Sequence, residues 1–338
     1  MKIVSVYSSF ESLGGAENMA VILAESLNNG AIPIILTKTP FKLIHKNYSS
    51  KNIIFEKFTL HNILKYNNEN TIFVSHSRKE TSLLMLINVF LLRKLFLIHV
   101  AHNTFANLSL FTWLPTNIIA VSNAVMQNLV EYFKVKRERI NVIYNGIVDV
   151  GIRFDAKKNV RLQNKIKIIC AGRICSIKQQ VKFVENTKGN LNDNIEVFFA
   201  GVGDELSLLK DAIGSCDQYK MLGDINIKNE LQNYDYVILV SQKEGMALSL
   251  IEGCMFGKPL ITNDINAALE VNINGYNGFV ARDWKELSNT INSLPNSSSD
   301  EYKRLSQNAR KQYEELFLFE KMINSYKNTI KSIIDASF

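Results

Sequence analysis

The chain has 338 residues, of which 46% are hydrophobic and 21% charged, and these are values of a globular protein large enough to form two domains. Its net charge is +7, and the surplus lies almost wholly in residues 1–149, which carry 15 Lys and Arg against 9 Asp and Glu. The four cysteines show no disulfide or metal spacing, so we expect reduced thiols and no cysteine-bound metal.

A basic first half can face nucleic acid, an anionic lipid or an anionic substrate, or it can be a soluble surface with surplus lysine. No zinc-knuckle, RNP-type aromatic or helix-turn-helix pattern supports nucleic acid. The first residues lead directly into a strand pattern without the long apolar segment of a secretory signal, so we expect a cytoplasmic protein.

Short apolar runs alternate with polar loops through the first half, which predicts a parallel α/β domain. The expected strands are residues 2–7, 32–37, 53–58, 71–75, 95–100, 118–121 and 140–144, and the expected helices are 16–27 and 123–132. The loop at 8–15 ends in Gly14 and Gly15, between a strand and a helix, which is the form of a phosphate- or sugar-binding loop. Because it lacks the G-x-G-x-x-G pattern, an ordinary strand–helix turn is the alternative.

Two histidines lie at the end of the strand expected at 95–100. The carboxyl ends of the strands face the ligand crevice in an open α/β sheet, and His102 lies in the loop at that end. His99 lies within the strand, on the opposite pleat to Val100, and we expect it in the core. His102 is therefore a candidate site residue, and a loop histidine without a chemical role is the alternative.

The first half also contains a strongly apolar segment, residues 83–92, that ends at Arg93 and Lys94. It is too short to cross a bilayer but suited to lie against an interface. An aromatic loop at 105–115 follows, containing Phe105, Phe111 and Trp113. These features predict either a peripheral contact with the membrane or, for the apolar segment, a buried helix of the sheet.

A second alternation of strands and loops begins near residue 167, after a polar and basic stretch at 151–165 that we interpret as an interdomain linker. The expected strands are residues 168–171, 196–200, 236–240 and 260–262, together with one that ends at residue 223. The expected helices are a short one from about residue 247, then 284–293, 300–313 and 319–334. We interpret the glycines at 201 and 203 as a strand–helix turn.

The most informative segment is residues 241–278, SQKEGMALSLIEGCMFGKPLITNDINAALEVNINGYNG. A polar turn leads into the short helix, which ends at Gly257, and the next strand follows, so the unit is a parallel βαβ crossover. The amides from Gly245 to Leu248 lie where a helix N-terminus attracts anions. Glu244 and Glu252 can accept hydrogen bonds from hydroxyls. Together they suit a ligand that is both phosphate and sugar, although two acids at this spacing also occur on solvated helix faces.

The segment resembles the nucleotide-sugar motif of the retaining glycosyltransferases with two Rossmann-like domains, the GT-B family that includes sucrose synthases and many bacterial mannosyl- and glucosyltransferases. The two glutamates match its Glu-x(7)-Glu spacing. The matching positions are Ser241, Glu244, Gly245, Leu248, Glu252, Gly257, Pro259 and the turn at 275–278. The chain departs from the family at Met246 and Ala247, where Phe-Gly is usual, and at Gln179, where glycine is usual.

The resemblance implies an α/β chain of GT-B architecture, with two Rossmann-like parallel-sheet domains facing each other across a cleft. Residues 1–150 would form the acceptor-binding domain and residues 151–312 the nucleotide-sugar-binding domain. Residues 313–338 would form a C-terminal helix that crosses back to the first domain. The implied reaction moves a sugar from a nucleotide-sugar donor, with UDP-sugars expected first, and retains the anomeric configuration.

The resemblance also implies roles for individual residues. Arg173 and Lys178 would hold the donor diphosphate, which suits a fork donor and a point charge on one glycine-led loop. Glu252 would hold the ribose hydroxyls, Glu244 the hydroxyls of the donor sugar, and His102 would lie near the transferred sugar. The catalytic candidates are His102, Arg173, Lys178 and Glu244. The further donor-binding candidates are Gly14, Gly15, Leu222, Gly223, Gly245, Met246, Ala247 and Leu248.

No Asp-x-Asp occurs in the sequence, so we expect neither a catalytic metal nor a cofactor. The expected acceptor is a glycan or lipid-linked glycan of bacterial surface polysaccharide or lipopolysaccharide synthesis, presented at the cytoplasmic face of the inner membrane. Two rivals remain. A nucleotide-sugar epimerase on the same double-Rossmann fold needs an acid and a base beside the sugar, which the sequence does not identify. A non-catalytic nucleotide-sugar-binding protein would not need the two glutamates and two cations.

Overall fold

The computed structural model describes residues 2–28, 30–91, 94–151 and 165–336. The chain forms two compact units, Met1–Asn145 with Glu320–Phe338 and Gly146–Phe319. The sequence predicts divisions at residues 150 and 312 instead. Almost all of the expected linker lies outside the described residues, as do Leu92 and Arg93 at the end of the apolar segment.

The described part of the first unit contains a sheet of seven parallel strands. The strands are β1 (Lys2–Val6), β2 (Ile34–Thr37), β3 (Ile54–Lys57), β4 (Thr71–Ser75), β5 (Phe96–Ala101), β6 (Asn117–Ala120) and β7 (Ile140–Val142). Their order in the sheet is β3-β2-β1-β4-β5-β6-β7. The chain thus reverses its direction of travel between β1 and β4, and this is the topological switch point where open α/β sheets bind ligands.

Helices cover both faces of this sheet, which explains why almost every residue of its central strands β1, β4 and β5 is buried rather than every second one. They include α1 (Gly15–Leu27), α2 (Lys46–Ser49), α3 (Leu60–Tyr66), α4 (Arg78–Phe90) and α5 (Asn123–Glu131). On one face Val4 and Val6 pack with Phe73, and on the other Ile35 packs with Phe10.

The second unit repeats the plan with a sheet of six parallel strands in its described residues. The strands are β8 (Ile166–Ala171), β9 (Ile195–Ala200), β10 (Tyr219–Gly223), β11 (Tyr236–Leu239), β12 (Leu260–Asn263) and β13 (Gly278–Ala281). Their order is β10-β9-β8-β11-β12-β13, so the switch point lies between β8 and β11. The helices are α6 (Gln180–Thr187), α7 (Leu206–Ile213), α8 (Ile227–Glu230), α9 (Leu248–Met255), α10 (Asn266–Leu269), α11 (Trp284–Asn292) and α12 (Asp300–Leu316).

The last helix, α13 (Phe319–Asp335), belongs to the first unit from Glu320 onward. The expected strands occur within a few residues of their predicted bounds, and α7 follows the predicted strand–helix turn at 201–203. The elements that were not predicted are α2, α3, α6, α8, α10 and β13. The predicted turn at 275–278 is present, with the Gly275 amide donating to the Gly278 carbonyl oxygen at 2.8 Å, and Gly278 is also the first residue of β13. A Cβ there would lie 2.2 Å from the Leu260 carbonyl oxygen, so only glycine lets the two strands pair.

Residues 83–90 of the apolar segment belong to α4, and they are only partly buried. Leu84 is fully buried in the core, whereas Val89 and Phe90 are 60% and 78% exposed. No helix in the described ranges is long and apolar enough to cross a membrane.

Candidate functional site

The loops that follow β8 and β11 meet at the switch point of the second sheet. The β8 loop contains Arg173 and a 3-10 turn, Ser176–Lys178. The Ser241 hydroxyl donates to the Ile177 carbonyl oxygen at 2.9 Å, and the Gln242 amide donates to the same oxygen at 2.8 Å. These bonds join the two loops and place the side chains that follow them next to each other.

Lys178 and Glu244 form an ion pair across this junction. The Lys178 Nζ lies 2.6 Å from the Glu244 Oε1, and the two side chains are 23% and 9% exposed. The sequence assigns these residues to different parts of a donor molecule, and the structure brings their charged atoms into direct contact. A part-buried pair of this kind is a charge-assisted hydrogen bond between a point-charge donor and a carboxylate acceptor.

Two glycines after β9 allow its loop to approach the backbone of the β8 loop closely. A Cβ on Gly201 would lie 2.0 Å from the Gly172 carbonyl oxygen, and one on Gly203 would lie 2.0 Å from the Ile174 carbonyl oxygen. The 201–203 turn is therefore a strand–helix turn, as the sequence predicts, but its glycines also permit the close contact with the β8 loop.

Arg173 is exposed, and its guanidinium makes no hydrogen bond or ion pair with the described residues. Its backbone is held, because the buried Gln180 donates from Nε2 to the Arg173 carbonyl oxygen at 2.9 Å. A fixed backbone with a solvated guanidinium is suited to an anionic ligand that arrives from solvent.

The departure from the family at Gln179 has a structural counterpart. Gln179 has φ +53° and ψ +23°, in the left-handed region where a side chain costs free energy and glycine does not. The chain therefore keeps the backbone conformation that a glycine would favour, at some cost in stability.

The departure at Met246 and Ala247 carries no such cost. Both residues are buried, and Ala247 is the N-cap of α9 with φ −79°, a conformation that any residue adopts. No side chain caps this helix terminus. The first turn, after Gly245 and beginning at Leu248, thus keeps the backbone arrangement of an anion site.

Glu252 lies one turn into α9. The residue is partly exposed, but desolvation by its surroundings raises the pKa of Glu252 to about 7, an effect that the charge of Lys228 partly opposes. The carboxyl group makes no hydrogen bond with the described residues. A partly desolvated carboxyl group without a partner among the described residues is suited to accept hydrogen bonds from hydroxyls.

The expected nucleobase loop lies at the end of β10. Leu222 and Gly223 are partly exposed, and Gly223 has φ +71°. The Gly201 amide donates to the Gly223 carbonyl oxygen at 2.7 Å, which ties this strand end to the β9 loop. The expected donor-binding residues of the second unit therefore lie at the carboxyl ends of β8, β10 and β11 and in the helix that follows β11.

In the first unit, Gly14 caps α1 and Gly15 begins it, one residue earlier than the sequence predicts. Gly14 has an extended backbone, and a Cβ there would lie 2.2 Å from the Glu17 carboxylate oxygen Oε2. The glycine therefore leaves room for an acidic side chain of the first helical turn. The loop lies at the carboxyl end of β1, beside the first switch point.

His102 directly follows β5 and pairs with a histidine that the sequence analysis did not select. The Nδ1 of His76, directly after β4, lies 3.0 Å from the Nε2 of His102, and their ring centroids are 5.2 Å apart. His99 is buried, as predicted, with its Nδ1 2.8 Å from the Thr81 hydroxyl.

Burial controls the charge of these three histidines. It lowers the pKa of His102 to about 3 and that of His99 to about 4, and it lowers the pKa of His76 well below its usual value. All three rings are therefore neutral near pH 7, so His102 acts there as a hydrogen-bonding group rather than as a cation.

Several residues that organise the site were missed at the sequence level. They are His76, Gln180 and Asn263. His76 and Asn263 act through partners more than 20 residues away, and Asn263 exchanges two hydrogen bonds with the Ser241 backbone, at 3.0 and 2.7 Å. A histidine directly after a predicted strand was an available signal for His76. For Gln180 and Asn263 no such signal existed. No cluster of three or more His, Cys, Asp or Glu side chains suited to a metal occurs in the described ranges.

Residues 152–312 match the family model described as Glycosyl transferases group 1, and residues 13–149 match the model described as Glycosyltransferase Family 4. An uncharacterized glycosyltransferase of Methanocaldococcus jannaschii is 25% identical over 232 residues, which are 64% of this chain and 59% of the relative. The chain therefore spans less than two thirds of that relative. The O-antigen biosynthesis glycosyltransferase WbnH of Escherichia coli is 22% identical over 80% of this chain and 84% of WbnH.

Among solved structures, Anabaena HepE in complex with UDP-glucose has a TM-score of 0.81 at 19% identity, over 98% of this chain and all (100%) of HepE. The two parallel-sheet units and this likeness define the GT-B fold, which confirms the predicted fold class. Both family models describe glycosyltransferases, each over less than half of the chain, and the relatives named above are called glycosyltransferases as well.

Proposed function

We propose that the chain is a glycosyltransferase that moves a sugar from a nucleotide-sugar donor to a glycan or lipid-linked glycan with retention of anomeric configuration. The observation that carries the proposal is the Lys178–Glu244 pair at the second switch point, beside the α9 terminus and Glu252. An ammonium, an uncapped helix start and two carboxyl groups supply the contacts that a sugar diphosphate needs. A UDP-sugar is the first donor to test, because HepE binds UDP-glucose.

The mechanism follows from where charge develops. Breaking the bond between the sugar and the diphosphate makes the sugar oxocarbenium-like and increases the negative charge of the leaving group. Arg173, Lys178 and the amides that start α9 stabilise that negative charge. Glu244 orients the sugar hydroxyls, and Glu252 holds the ribose. The departing phosphate takes the proton of the attacking hydroxyl, so no enzyme base is required and no carboxylate acts as a nucleophile.

The test of this proposal is a donor panel with UDP-glucose, UDP-galactose, UDP-N-acetylglucosamine and GDP-mannose, each assayed with lipid-linked and soluble glycan acceptors. We expect one donor to be consumed, and NMR of the product to show the anomeric configuration of the donor. Inverted product would contradict retention. An epimerised nucleotide sugar would favour the epimerase, and tight binding without turnover would favour a non-catalytic binding protein.

Metal independence is part of the proposal, because two cations and a helix terminus neutralise the diphosphate without a divalent ion. We expect EDTA to leave turnover unchanged. Loss of activity in EDTA, restored by magnesium or manganese, would contradict it.

We further propose that the first unit contacts the cytoplasmic face of an anionic bilayer. The exposed face of α4, with Phe90, continues into the 107–113 loop, because the Trp113 amide donates to the Ser82 hydroxyl at 2.9 Å. Phe111 and Trp113 in this loop are 81% and 47% exposed. The surplus positive charge of residues 1–149 complements an anionic leaflet, to which each nearby Lys or Arg adds about 1 kcal/mol.

Vesicle co-sedimentation at low and high salt tests this contact. We expect salt-sensitive binding to vesicles with phosphatidylglycerol and weak binding to phosphatidylcholine alone. Trp113→Ala and the double variant Arg93→Ala/Lys94→Ala should weaken it, whereas Ile273→Ala, at a comparably exposed (48%) apolar residue of the second unit, should not. Equal non-binding to both vesicles would contradict the membrane contact and leave the transferase proposal intact.

A further inference from the structure

The paired histidines after β4 and β5 differ in how their ring nitrogens are used. Nδ1 of His76 and Nε2 of His102 face each other at 3.0 Å. The remaining nitrogen of His76, Nε2, is buried and has no hydrogen-bond partner. The remaining nitrogen of His102, Nδ1, also has no partner among the described residues. Unlike His76 Nε2, it is accessible to solvent.

The hydrogen bond between the two rings has its proton either on His102 Nε2 or on His76 Nδ1, and the difference in burial of the other two nitrogens favours one of these arrangements. A neutral imidazole has one N–H group and one bare nitrogen. If His102 donated from Nε2, His76 would carry its own proton on the enclosed Nε2, and a buried N–H group would have no acceptor. If His76 donates from Nδ1, the enclosed atom is a bare nitrogen instead. Buried N–H groups without partners are rarer in proteins than unpaired acceptors, so the second arrangement is favoured.

We propose that His76 is a positioning residue that holds His102 with its proton on Nδ1, so that His102 offers an N–H donor to an oxygen of the bound substrate. The proposal rests on the proposed function for the identity of that substrate, a nucleotide sugar whose hydroxyl oxygen accepts the bond. His102 is then a donor of fixed direction, and it neither takes a proton from the acceptor nor gives one to the leaving group.

The surrounding structure supports a fixed donor. Both histidines directly follow adjacent parallel strands, so the sheet sets the distance between them. Thr81 and Ser75 anchor the next ring, since the Thr81 hydroxyl contacts both His99 Nδ1 at 2.8 Å and the Ser75 hydroxyl at 2.7 Å. Burial also keeps the rings neutral near pH 7, so the pair does not separate through charge repulsion.

The decisive measurement is the tautomer of His102 in the full-length protein without substrate. The chain has five histidines, and long-range 1H–15N spectra of the protein labelled with 15N-histidine distinguish a protonated ring nitrogen from a bare one. We expect His102 to be protonated on Nδ1 and bare on Nε2. A signal assigned to His102 with a bare Nδ1 would overturn the proposal, whatever the activity of the enzyme.

Two variants separate positioning from mere packing. His76→Asn places an amide N–H near the former Nδ1 and should keep the His102 tautomer. His76→Leu removes the donor, so His102 should shift toward the Nε2–H form that a histidine side chain prefers in water. With the best donor of the panel, His76→Leu should lower kcat/KM about two- to tenfold, and His76→Asn should restore part of that loss.

The control is Thr81→Val, which removes a buried hydroxyl from the same cluster without touching His102. It should lower stability but leave the His102 tautomer unchanged. A His76→Leu protein that keeps both the Nδ1–H form and full activity would overturn the proposal. Absence of turnover with every donor would contradict the proposed function instead, because the tautomer is measured without substrate.

Discussion

The two sheets have the same parallel plan but carry opposite kinds of chemistry at their carboxyl ends. In the first unit the central strands end in buried, neutral histidines that bond to each other and to hydroxyls. In the second unit they end in Lys178, Glu244 and Glu252, which are charged or close to their pKa at neutral pH. The difference shows that one fold supports both a rigid neutral network and an exchangeable charged one.

Physical reasons favour this division. A neutral hydrogen-bonded network is fixed in direction, because none of its members gains by leaving its partner for water. An ion pair at partial exposure is different, since a phosphate can replace the carboxylate as partner of the ammonium with little net loss. We therefore infer that the first unit orients a substrate and that the second unit responds to the charge of one.

The largest expected effect comes from removing the cation of the charged end. Lys178→Ala should lower kcat/KM about ten- to a hundredfold, because a hydrogen bond to the developing phosphate charge is lost. Lys182→Ala is the matched control, an exposed lysine four residues along the chain that should have little effect. Steady-state kinetics with the panel donor measures both. Equal kinetics in the two variants would place the diphosphate elsewhere.

The double variant Lys178→Ala/Glu244→Gln sharpens this result. If the Lys178–Glu244 ion pair also forms in solution, the two substitutions should not be additive, with a coupling of about 0.5–3 kcal/mol in unfolding free energy. Chemical denaturation of the four proteins of the cycle gives this value. Strict additivity would mean that the contact between Lys178 and Glu244 contributes nothing in solution.

The next effect concerns Glu252. Burial raises the pKa of this residue from a usual value of 4.5 to about 7. The folded protein binds this proton more tightly than the unfolded chain, so stability is lost as pH rises from the unfolded to the folded pKa. Relative to Glu252→Gln, the wild type should lose about 3 kcal/mol of unfolding free energy between pH 4.5 and 8. Glu185→Gln, at an exposed acid of α6, is the control and should show no such trend.

Binding of UDP gives a second measure of the same group. Ribose hydroxyls donate to a carboxylate, so the nucleotide prefers the ionised form, and the affinity for UDP should rise as pH increases through about 7. Calorimetry of wild type and Glu252→Gln at pH 6 and pH 8 tests this. A wild-type affinity that is independent of pH, or unchanged in the variant, would show that Glu252 does not contact the nucleotide.

The smallest expected effect is the change in stability when a strained residue in each unit is replaced by glycine. Gln179 in the second unit and Lys134 in the first both have a positive φ, +53° and +57°. Replacing either by glycine relieves the strain but loosens the unfolded chain, so each variant should gain up to about 1 kcal/mol of stability. Only Gln179→Gly, beside Lys178, should also change the KM for the donor. A loss of stability in both variants would contradict the strain argument.

Much of this architecture is readable in the amino-acid sequence, because it depends on local patterns. Apolar β-branched runs mark the strands of both sheets, and the loops at their carboxyl ends contain His102, Arg173 and Glu244, as expected. The helix after residue 247 follows from its apolar period and from the glycine at which it ends. These signals lie within a few residues of each other, so no knowledge of strand order is needed to find them.

Contacts between distant residues were decided by the tertiary structure. Lys178 meets Glu244 across 66 residues, and His76 meets His102 across 26, because strand order places the ends of β8 beside β11 and of β4 beside β5. The raised pKa of Glu252 has the same origin, since burial depends on what packs around α9. A linear sequence supplies the residue types, whereas the distances and the desolvation that set their chemistry exist only after the strands have paired.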